Sequence, residues 1–302
     1  GVGTNAGIQM RGLPKRYSTV YIDGVKMSDP SASDNGFYSQ GLFKNSIDRI
    51  EILKGSQSSL YGNSAVGGTI NIFTKKGRLG KHQNAEVRAG GNNSRDLFYS
   101  IDGADEKQSY FVGLNYYKTD GISAMSNDSE KDPYENNSLT ANHTFKLSEN
   151  NTFENYITLK DSYLKYDEPT AGRDDTLNSS DNIEAHYSFK FKNINNNFKN
   201  TFGFSKSGTS RMVTNYKNRE HTYEGFKNML TYLGEYNFNL DNKIVYGADI
   251  EFFKAKYPTD PGVYKTHDEE IHSQYVDYQF RPYENIYATI GGRNDRHTLS
   301  GD

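Results

Sequence analysis

The sequence contains no cysteine and no tryptophan among its 302 residues. Without cysteine the chain can form no disulfide and can offer no thiolate as a metal ligand or nucleophile. It also lacks any apolar run approaching the roughly 18 residues that a membrane-spanning helix needs. Any part of the chain that crosses a membrane must therefore do so as strands of a closed barrel, in which every second residue is apolar.

Strong net charge and recognisable catalytic arrangements are also absent. The formal net charge is −3, which does not favour nucleic acid as a partner. No Ser-His-Asp set or carboxylate pair can be placed by spacing, so we expect no enzyme activity and no covalent cofactor. The glycine-rich residues 62–69 lack the lysine with which a phosphate loop reaches its phosphates, and they are interpreted as a structural turn.

Tyrosine and phenylalanine are abundant in a chain that is otherwise polar. There are 24 tyrosines and 17 phenylalanines, which bring the aromatic content to 14%, whereas the mean hydropathy is only −0.87. This combination is typical of strands whose ends lie at the two surfaces of a lipid bilayer.

The residue pattern changes after the first 80 residues. Residues 1–80 alternate between short strands, predicted at 19–23, 48–53 and 69–74, and glycine-containing turns, and the Asp23-Gly24 pair predicts a tight turn. From about residue 84 onward, about eleven segments of about ten residues alternate between apolar and polar side chains, as transmembrane strands do. The clearest is 183–191, where Ile183, Ala185, Tyr187, Phe189 and Phe191 alternate with Glu184, His186, Ser188 and Lys190.

The connections between these segments alternate in length. Short turns are predicted near 105–108, 148–151, 193–196, 239–242 and 281–283, and long loops near 120–136, 163–181, 210–222 and 255–269, with one short exception at 91–94. Outer-membrane barrels have short periplasmic turns and long extracellular loops. The pattern favours such a barrel, and the alternative is a soluble all-β repeat protein.

Four motifs in the first 80 residues resemble, in order, those of the plug domain of TonB-dependent outer-membrane receptors. They are IQMRG at 8–12, VYIDGV at 20–25, IDRIEILKG at 47–55 and SSLYGNSAVGGTINI at 58–72. The resemblance implies a small α+β plug at 1–80, followed at 81–302 by part of an antiparallel all-β transmembrane barrel of about 22 strands. Because the sequence starts without a signal peptide and stops after a strand-like run, we expect both ends to be cuts.

The resemblance also implies a function and partners. A monomeric receptor in the outer membrane of a Gram-negative bacterium would import a scarce nutrient, driven by TonB through a segment that is missing here, with lipid around the barrel. Plug length, the short first extracellular loop and an acidic loop look most like the cobalamin (vitamin B12) branch. Ferric siderophore receptors share the motifs and remain an alternative, as do haem or glycan import and an adhesin or phage-docking barrel without transport.

In such a receptor the outward apices of the plug form the floor of the ligand site. The apices are predicted at 5–7, 14–17 and 30–40, where donors, acceptors and aromatic rings follow turn residues. The ligand-binding candidates are Asn5, Ala6, Lys15, Arg16, Tyr17, Asp34, Asn35, Phe37 and Tyr38.

Other polar clusters allow two interpretations each. Carboxylates crowd residues 161–181 and suit a hard cation; cobalamin receptors resemble this region in having acidic calcium-binding loops, so Asp167, Asp174 and Asp175 are calcium candidates. Residues 267–272 contain metal-competent side chains without fixed geometry, which favours a solvated loop. The plug charges Arg11, Arg49, Glu51 and Lys54 either contact the barrel wall or are solvated strand charges.

Overall fold

The strands of the molecule form two sheets, one small and one large. The structure is a computed structural model that describes residues 6–32, 35–39, 42–54, 62, 65–123, 131–167, 178–215, 217, 219–260 and 262–300. The small sheet has four strands and comes first in the chain, and the large sheet has eleven. This is the predicted order of a plug followed by strands of an all-β barrel, although the described part of the plug has no α-helix where the resemblance implied an α+β domain.

The small sheet forms the plug. Its strands are β1 (Ser18–Ile22), β2 (Val25–Met27), β3 (Ile47–Lys54) and β4 (Gly68–Thr74). They lie in the order β2-β1-β4-β3, with β1 and β4 parallel and the other pairs antiparallel. The three predicted strands agree with β1, β3 and β4. Strand β2 was missed because three residues are too few to show an alternation.

Two glycine positions in the plug need the backbone freedom of glycine. Asp23 and Gly24 have φ angles of 47° and 73°, which is the two-residue turn predicted between β1 and β2. Gly68 has a φ of 140°, and a Cβ there would lie 2.5 Å from the carbonyl oxygen of Leu53. A side chain at Gly68 would therefore separate β3 from β4.

In the described residues of the plug, helical structure is limited to two 3-10 helices, Lys15–Tyr17 and Lys44–Ser46, and no α-helix is present. Within that part of the chain no helix is both long enough and apolar enough to cross a membrane.

The large sheet is a continuous antiparallel series in which each strand pairs with its neighbours in sequence. Its strands are β5 (Gly80–Gly90), β6 (Ser94–Ala104), β7 (Gln108–Thr119), β8 (Tyr134–Lys146), β9 (Asn151–Lys165), β10 (Ser179–Asn195), β11 (Phe198–Thr214), β12 (Glu220–Asn237), β13 (Asn242–Asp260), β14 (Val263–Tyr283) and β15 (Ile286–Ser300). Their number agrees with the alternating segments counted in the sequence. Several are longer than expected, up to 21 residues in β14.

The two faces of the large sheet differ as the alternation predicts. On β10, Ile183 and Tyr187 are exposed, whereas His186 and Ser188 are buried against the plug. Tyr156 of β9 belongs to the same hydrophobic cluster as Val20 and Ile70 of the plug. The polar face therefore surrounds the plug, and the apolar face is the one that lipid would cover.

The predicted positions of the short turns agree with the structure more closely than the predicted lengths of the long loops do. Short turns follow β6, β8, β10 and β12, but the predicted turn at 281–283 lies at 284–285 because β14 continues to Tyr283. The predicted long loop at 255–269 is wrong. Strand β13 runs to Asp260 and β14 begins at Val263, so a hairpin occupies this segment. Beyond a bilayer both faces of a strand meet water, so the ladder of backbone hydrogen bonds continues without the apolar alternation.

Candidate functional site

The three predicted apices of the plug meet at one place. The backbone N–H and the hydroxyl of Ser39 both donate to the carbonyl oxygen of Ala6, at 2.9 and 3.0 Å. The Nζ of Lys15 lies 3.6 Å from the centre of the Tyr38 ring, a cation–π contact. Ala6, Lys15 and Tyr38, which were predicted as ligand-binding residues, are therefore neighbours. Asn5 and Asp34 lie outside the described residues.

The 3-10 helix Lys15–Tyr17 presents two cations at this apex. Pro14 precedes it with a φ of −53°, and the Tyr17 backbone N–H donates to the Pro14 carbonyl oxygen at 2.9 Å. The Arg16 guanidinium lies 5.1 Å from the centre of the Tyr17 ring. The proline fixes the start of the turn, so the positions of the two cations are set by local sequence.

In the loop that contains Asn35 and Phe37, Asn35 lies at the surface and Phe37 lies in the core. Asn35 is exposed with a φ of 49°, a left-handed conformation that asparagine tolerates. Phe37 is only 9% exposed and packs in the plug core with Ile22 and Ile72. The sequence predicted Phe37 as a ligand-binding residue, but its ring lies in the plug core and not at the apex surface. A lone aromatic residue between glycine and polar residues gives no sign of which side of its loop faces the core.

Arg211 of β11 joins the apex to the barrel wall, a contact that no local sequence pattern predicts. Its Nη2 atom pairs with the carboxylate of Asp29 and donates to the hydroxyl of Ser31 at 3.3 Å. The same carboxylate accepts from the Ser31 N–H and hydroxyl at 2.9 and 2.6 Å. The guanidinium is also 5.7 Å from the centre of the Tyr38 ring. Tyr38 thus lies near two cations, Lys15 from the plug and Arg211 from the wall.

A buried group of three charges fastens the β1–β2 hairpin of the plug to β12 and β13. Lys26 Nζ lies 3.0 Å from Glu251 Oε1, and Lys227 Nζ lies 2.8 Å from Glu251 Oε2. Lys227 Nζ also donates to the Lys26 carbonyl oxygen at 3.3 Å. Because both carboxylate oxygens are paired, the cost of burying the charge is partly offset by hydrogen bonds.

The turn at Asp23 is a second anchoring point. Lys190 of β10 donates from Nζ to the Asp23 carbonyl oxygen. The Asp23 carboxylate accepts from the Thr74 backbone N–H at 3.1 Å and from the Thr74 hydroxyl. Burial raises the pKa of Asp23, and the hydrogen bonds from Thr74 oppose that rise. Asn142 of β8 donates to the Lys75 carbonyl oxygen at 2.9 Å, which holds the end of β4.

The charges that the sequence suggested as wall contacts are exposed in the part of the molecule that this chain spans. Arg49 Nε lies 2.8 Å from Glu51 Oε1, and both side chains are about half exposed. Arg11 and Lys54 are exposed as well. Because the resemblance implies a barrel of about 22 strands and the large sheet has eleven, both interpretations of these residues stay open. Lys26, Asp23 and Asp29 make contacts with the strands that are present.

The predicted calcium site is only partly within the described residues. Asp174 and Asp175 lie outside them, whereas Asp167 is buried and accepts a hydrogen bond from the Ser123 hydroxyl at 3.4 Å. In the part of the chain that is described, no group of three or more His, Asp or Glu side chains is arranged to hold a metal. Residues 267–272 lie in β14, where alternate side chains point to opposite faces. They are therefore not the solvated loop that the sequence predicted.

Comparison with known proteins agrees with the fold and with the plug motifs. Residues 1–69 match the TonB-dependent Receptor Plug Domain family. The siderophore receptor PirA of Acinetobacter baumannii superposes on 96% of this chain and half of its own length, with a TM-score of 0.79 and 16% identity. Residues 1–69 are thus similar to the plug family of TonB-dependent receptors, and the chain as a whole shares its fold with a solved siderophore receptor. The relatives and solved structures that it resembles are named as receptors and transporters.

The sequence relatives of the chain carry two kinds of name. It is 27% identical over 247 residues to the vitamin B12 transporter BtuB of Photobacterium profundum. This alignment covers 75% of this chain and 40% of that protein. It is 28% identical over 129 residues to the ferric enterobactin receptor of Pseudomonas aeruginosa, covering 40% of this chain and 16% of that protein. The chain spans less than half the length of these curated relatives.

Proposed function

We propose that this chain is part of a receptor that imports a scarce nutrient across the outer membrane of a Gram-negative bacterium, with energy supplied through TonB. The observation that carries the proposal is a plug held against a strand wall by polar contacts that border cavities, such as Arg211 with Asp29 and Lys190 with Asp23. Such contacts can break and re-form because water can replace each partner. The apex with Arg211 lies at the end of the sheet where the long loops are, and this end would face outside.

Cobalamin is the first candidate ligand. Its support is the similarity to a vitamin B12 transporter, which extends over 247 residues and therefore well beyond the plug. A neutral, bulky corrinoid would be held by many modest hydrogen bonds and stacking contacts. The apex offers the phenol of Tyr38 and the exposed amide of Asn35 for such contacts.

A ferric siderophore is the second candidate, and the charge at the apex favours it. The Lys15 ammonium and the Arg211 guanidinium both lie close to the Tyr38 ring, and Arg16 is in the same 3-10 helix as Lys15. Cations grouped around an aromatic ring would attract an anionic, catechol-rich ligand. Relatives named as ferric enterobactin and ferric aerobactin receptors share part of the sequence.

The two ligands are separated by equilibrium binding to the purified full-length receptor, using cyanocobalamin and a ferric catecholate siderophore. Tight cyanocobalamin binding without siderophore binding supports the first candidate, and the reverse pattern supports the second. Uptake by cells with and without TonB then tests transport. Uptake that does not depend on TonB, or binding without uptake, would instead support an adhesin or phage-docking barrel.

Calcium remains part of the proposal for the cobalamin receptor. Asp167, Asp174 and Asp175 would supply carboxylate oxygens to the ion. If calcium organises this loop, Asp174→Asn and Asp175→Asn should weaken cyanocobalamin binding when calcium is present and should have no effect after chelation. Equal binding by the variants and the parent receptor in calcium would contradict a calcium site.

A further inference from the structure

A cavity of about 70 Å³ separates the plug from the wall formed by β8 to β11. The plug side of the cavity is largely apolar and includes Ile22, Phe37 and Ile72. The wall side is polar. Its lining side chains are Ser138, Thr140, Thr158, Lys160, Asn182, Glu184, His186, Ser207, Thr209 and Arg211.

His186 lies in this wall with an unmet need for hydrogen bonds. It is 5% exposed, and neither ring nitrogen has a hydrogen-bond partner among the described residues. A neutral imidazole has one N–H donor and one acceptor nitrogen, and burying both without partners is costly. The cavity beside it is several times larger than the roughly 10–15 Å³ that one water molecule needs. Water molecules in the cavity would satisfy both nitrogens.

A second, smaller cavity of about 20 Å³ lies further along the same wall, towards the end with the short turns. Its lining includes Asp23 and Lys76 of the plug region and Glu154, Ser188 and Lys190 of the wall. Tyr156 lines both cavities, and its ring is also part of the plug core. The two cavities therefore form a polar seam along β8 to β11, interrupted by one tyrosine side chain.

The plug meets β12 and β13 differently. There the charges of Lys26, Lys227 and Glu251 are paired, and the side chains of Lys227 and Glu251 are 2% exposed. Near the apex, a Cβ on Gly225 would lie 2.5 Å from the Ser31 backbone nitrogen, so the two backbones touch. The polar contacts with β8 to β11, such as Arg211 with Asp29 and Lys190 with Asp23, border the two cavities, where water can replace a lost partner. Lys26, Lys227 and Glu251 line neither cavity, so parting from β12 and β13 would leave buried charges without partners.

We propose that the plug parts from the barrel along the seam on β8 to β11, so that a hydrophilic solute passes along this wall, with Tyr156 as the residue that closes the path. The inference rests on the proposed transport function. It assigns the passage to the wall of β8 to β11, with the contacts on the neighbouring strands β12 and β13 kept.

The seam is tested first without ligand or energy, by thiol labelling in cells that carry the full-length receptor with any other cysteine removed. Ser188→Cys places a thiol in the second cavity, and Ser273→Cys places one on the inner face of β14. The two serines are matched in burial, at 3% and 2% exposed. A small hydrophilic methanethiosulfonate reagent should label Ser188→Cys several-fold faster than Ser273→Cys. Equal rates, or faster labelling of Ser273→Cys, would overturn the hydrated seam.

The path is tested next with the labelled Ser188→Cys receptor. The added group should reduce uptake of cyanocobalamin several-fold, leave equilibrium binding at the apex intact, and be reversed by a thiol reductant. A labelled receptor that still transports at the rate of its unlabelled form would overturn the path. If the unlabelled receptor takes up no cyanocobalamin, the cobalamin assignment has failed, and the same comparison with a ferric siderophore decides the path.

Discussion

Lys227 Nζ of β12 and Glu251 Oε2 of β13 lie 2.8 Å apart, and each side chain is 2% exposed. The second carboxylate oxygen of Glu251 is paired with Lys26 of the plug, so one carboxylate joins two barrel strands to the plug. A charge in such a place is stabilising only while its partners remain.

Replacing Lys227 with methionine should therefore destabilise the full-length receptor by about 3–5 kcal/mol, because one partner of a buried carboxylate is lost. Denaturant unfolding of the purified receptor in detergent measures this. Lys256→Met is the matched control, since Lys256 pairs with Glu224 at 3.1 Å with side chains 42% and 31% exposed. The control should change stability by about 0–1 kcal/mol. Equal losses would show that burial of the pair is unimportant.

A lysine introduced on the outward face of β11 should lower the free energy of unfolding only where this face contacts lipid. Phe202 is exposed on this face, and Lys206 follows it on the same side towards the long loops. Phe202→Lys should cost about 2–4 kcal/mol, and Ser210→Lys, beyond Lys206, about 0–1 kcal/mol. Unfolding of the receptor from lipid vesicles checks the difference, and similar costs at both positions would contradict the assigned lipid face.

Asp23 should make the stability of the receptor depend on pH. Its pKa is raised in the folded state by burial, so the protonated form favours folding and this contribution is lost as the pH rises through the folded pKa. Relative to Asp23→Asn, the parent receptor should therefore become less stable as the pH rises above the ordinary aspartate value of about 4. Denaturant midpoints of both proteins across this pH range give the measurement. A constant difference between them would refute the effect.

Variants at the apex should distinguish the two ligand classes. Lys15→Gln should weaken binding of an anionic ferric siderophore and reduce its salt dependence, because a cation beside the Tyr38 ring is lost. Cyanocobalamin binding should respond more to Tyr38→Ala, by about 1 kcal/mol. Isothermal titration at two salt concentrations makes the comparison. Lys146→Gln, an exposed lysine beside the short turn after β8, should alter neither ligand.

The sequence predicted the elements of this fold better than the contacts between them. A period of two residues shows which face of β10 is polar, so the inward positions of His186 and Ser188 could be predicted. It does not show which plug residue each polar side chain meets. Arg211 and Asp29 are 182 residues apart, and the plug could be rotated within the barrel without changing either pattern. The turn residues predicted apices that contain Lys15 and Tyr38. The burial of Phe37 and the contact of Arg211 with the plug depend on packing, which no local pattern records.

The pairing of strands also orders the assembly of the molecule in time. Each barrel strand pairs with its sequence neighbours, so hairpins can form in succession as the chain becomes available. Lys26, in contrast, meets its partner Glu251 across 225 residues of chain. Closing so long a loop carries a large entropic cost before the contact is made. The β1–β2 hairpin can therefore form its contact with Glu251 only after β12 and β13 have paired. Until then this side of the plug has no partner on the wall.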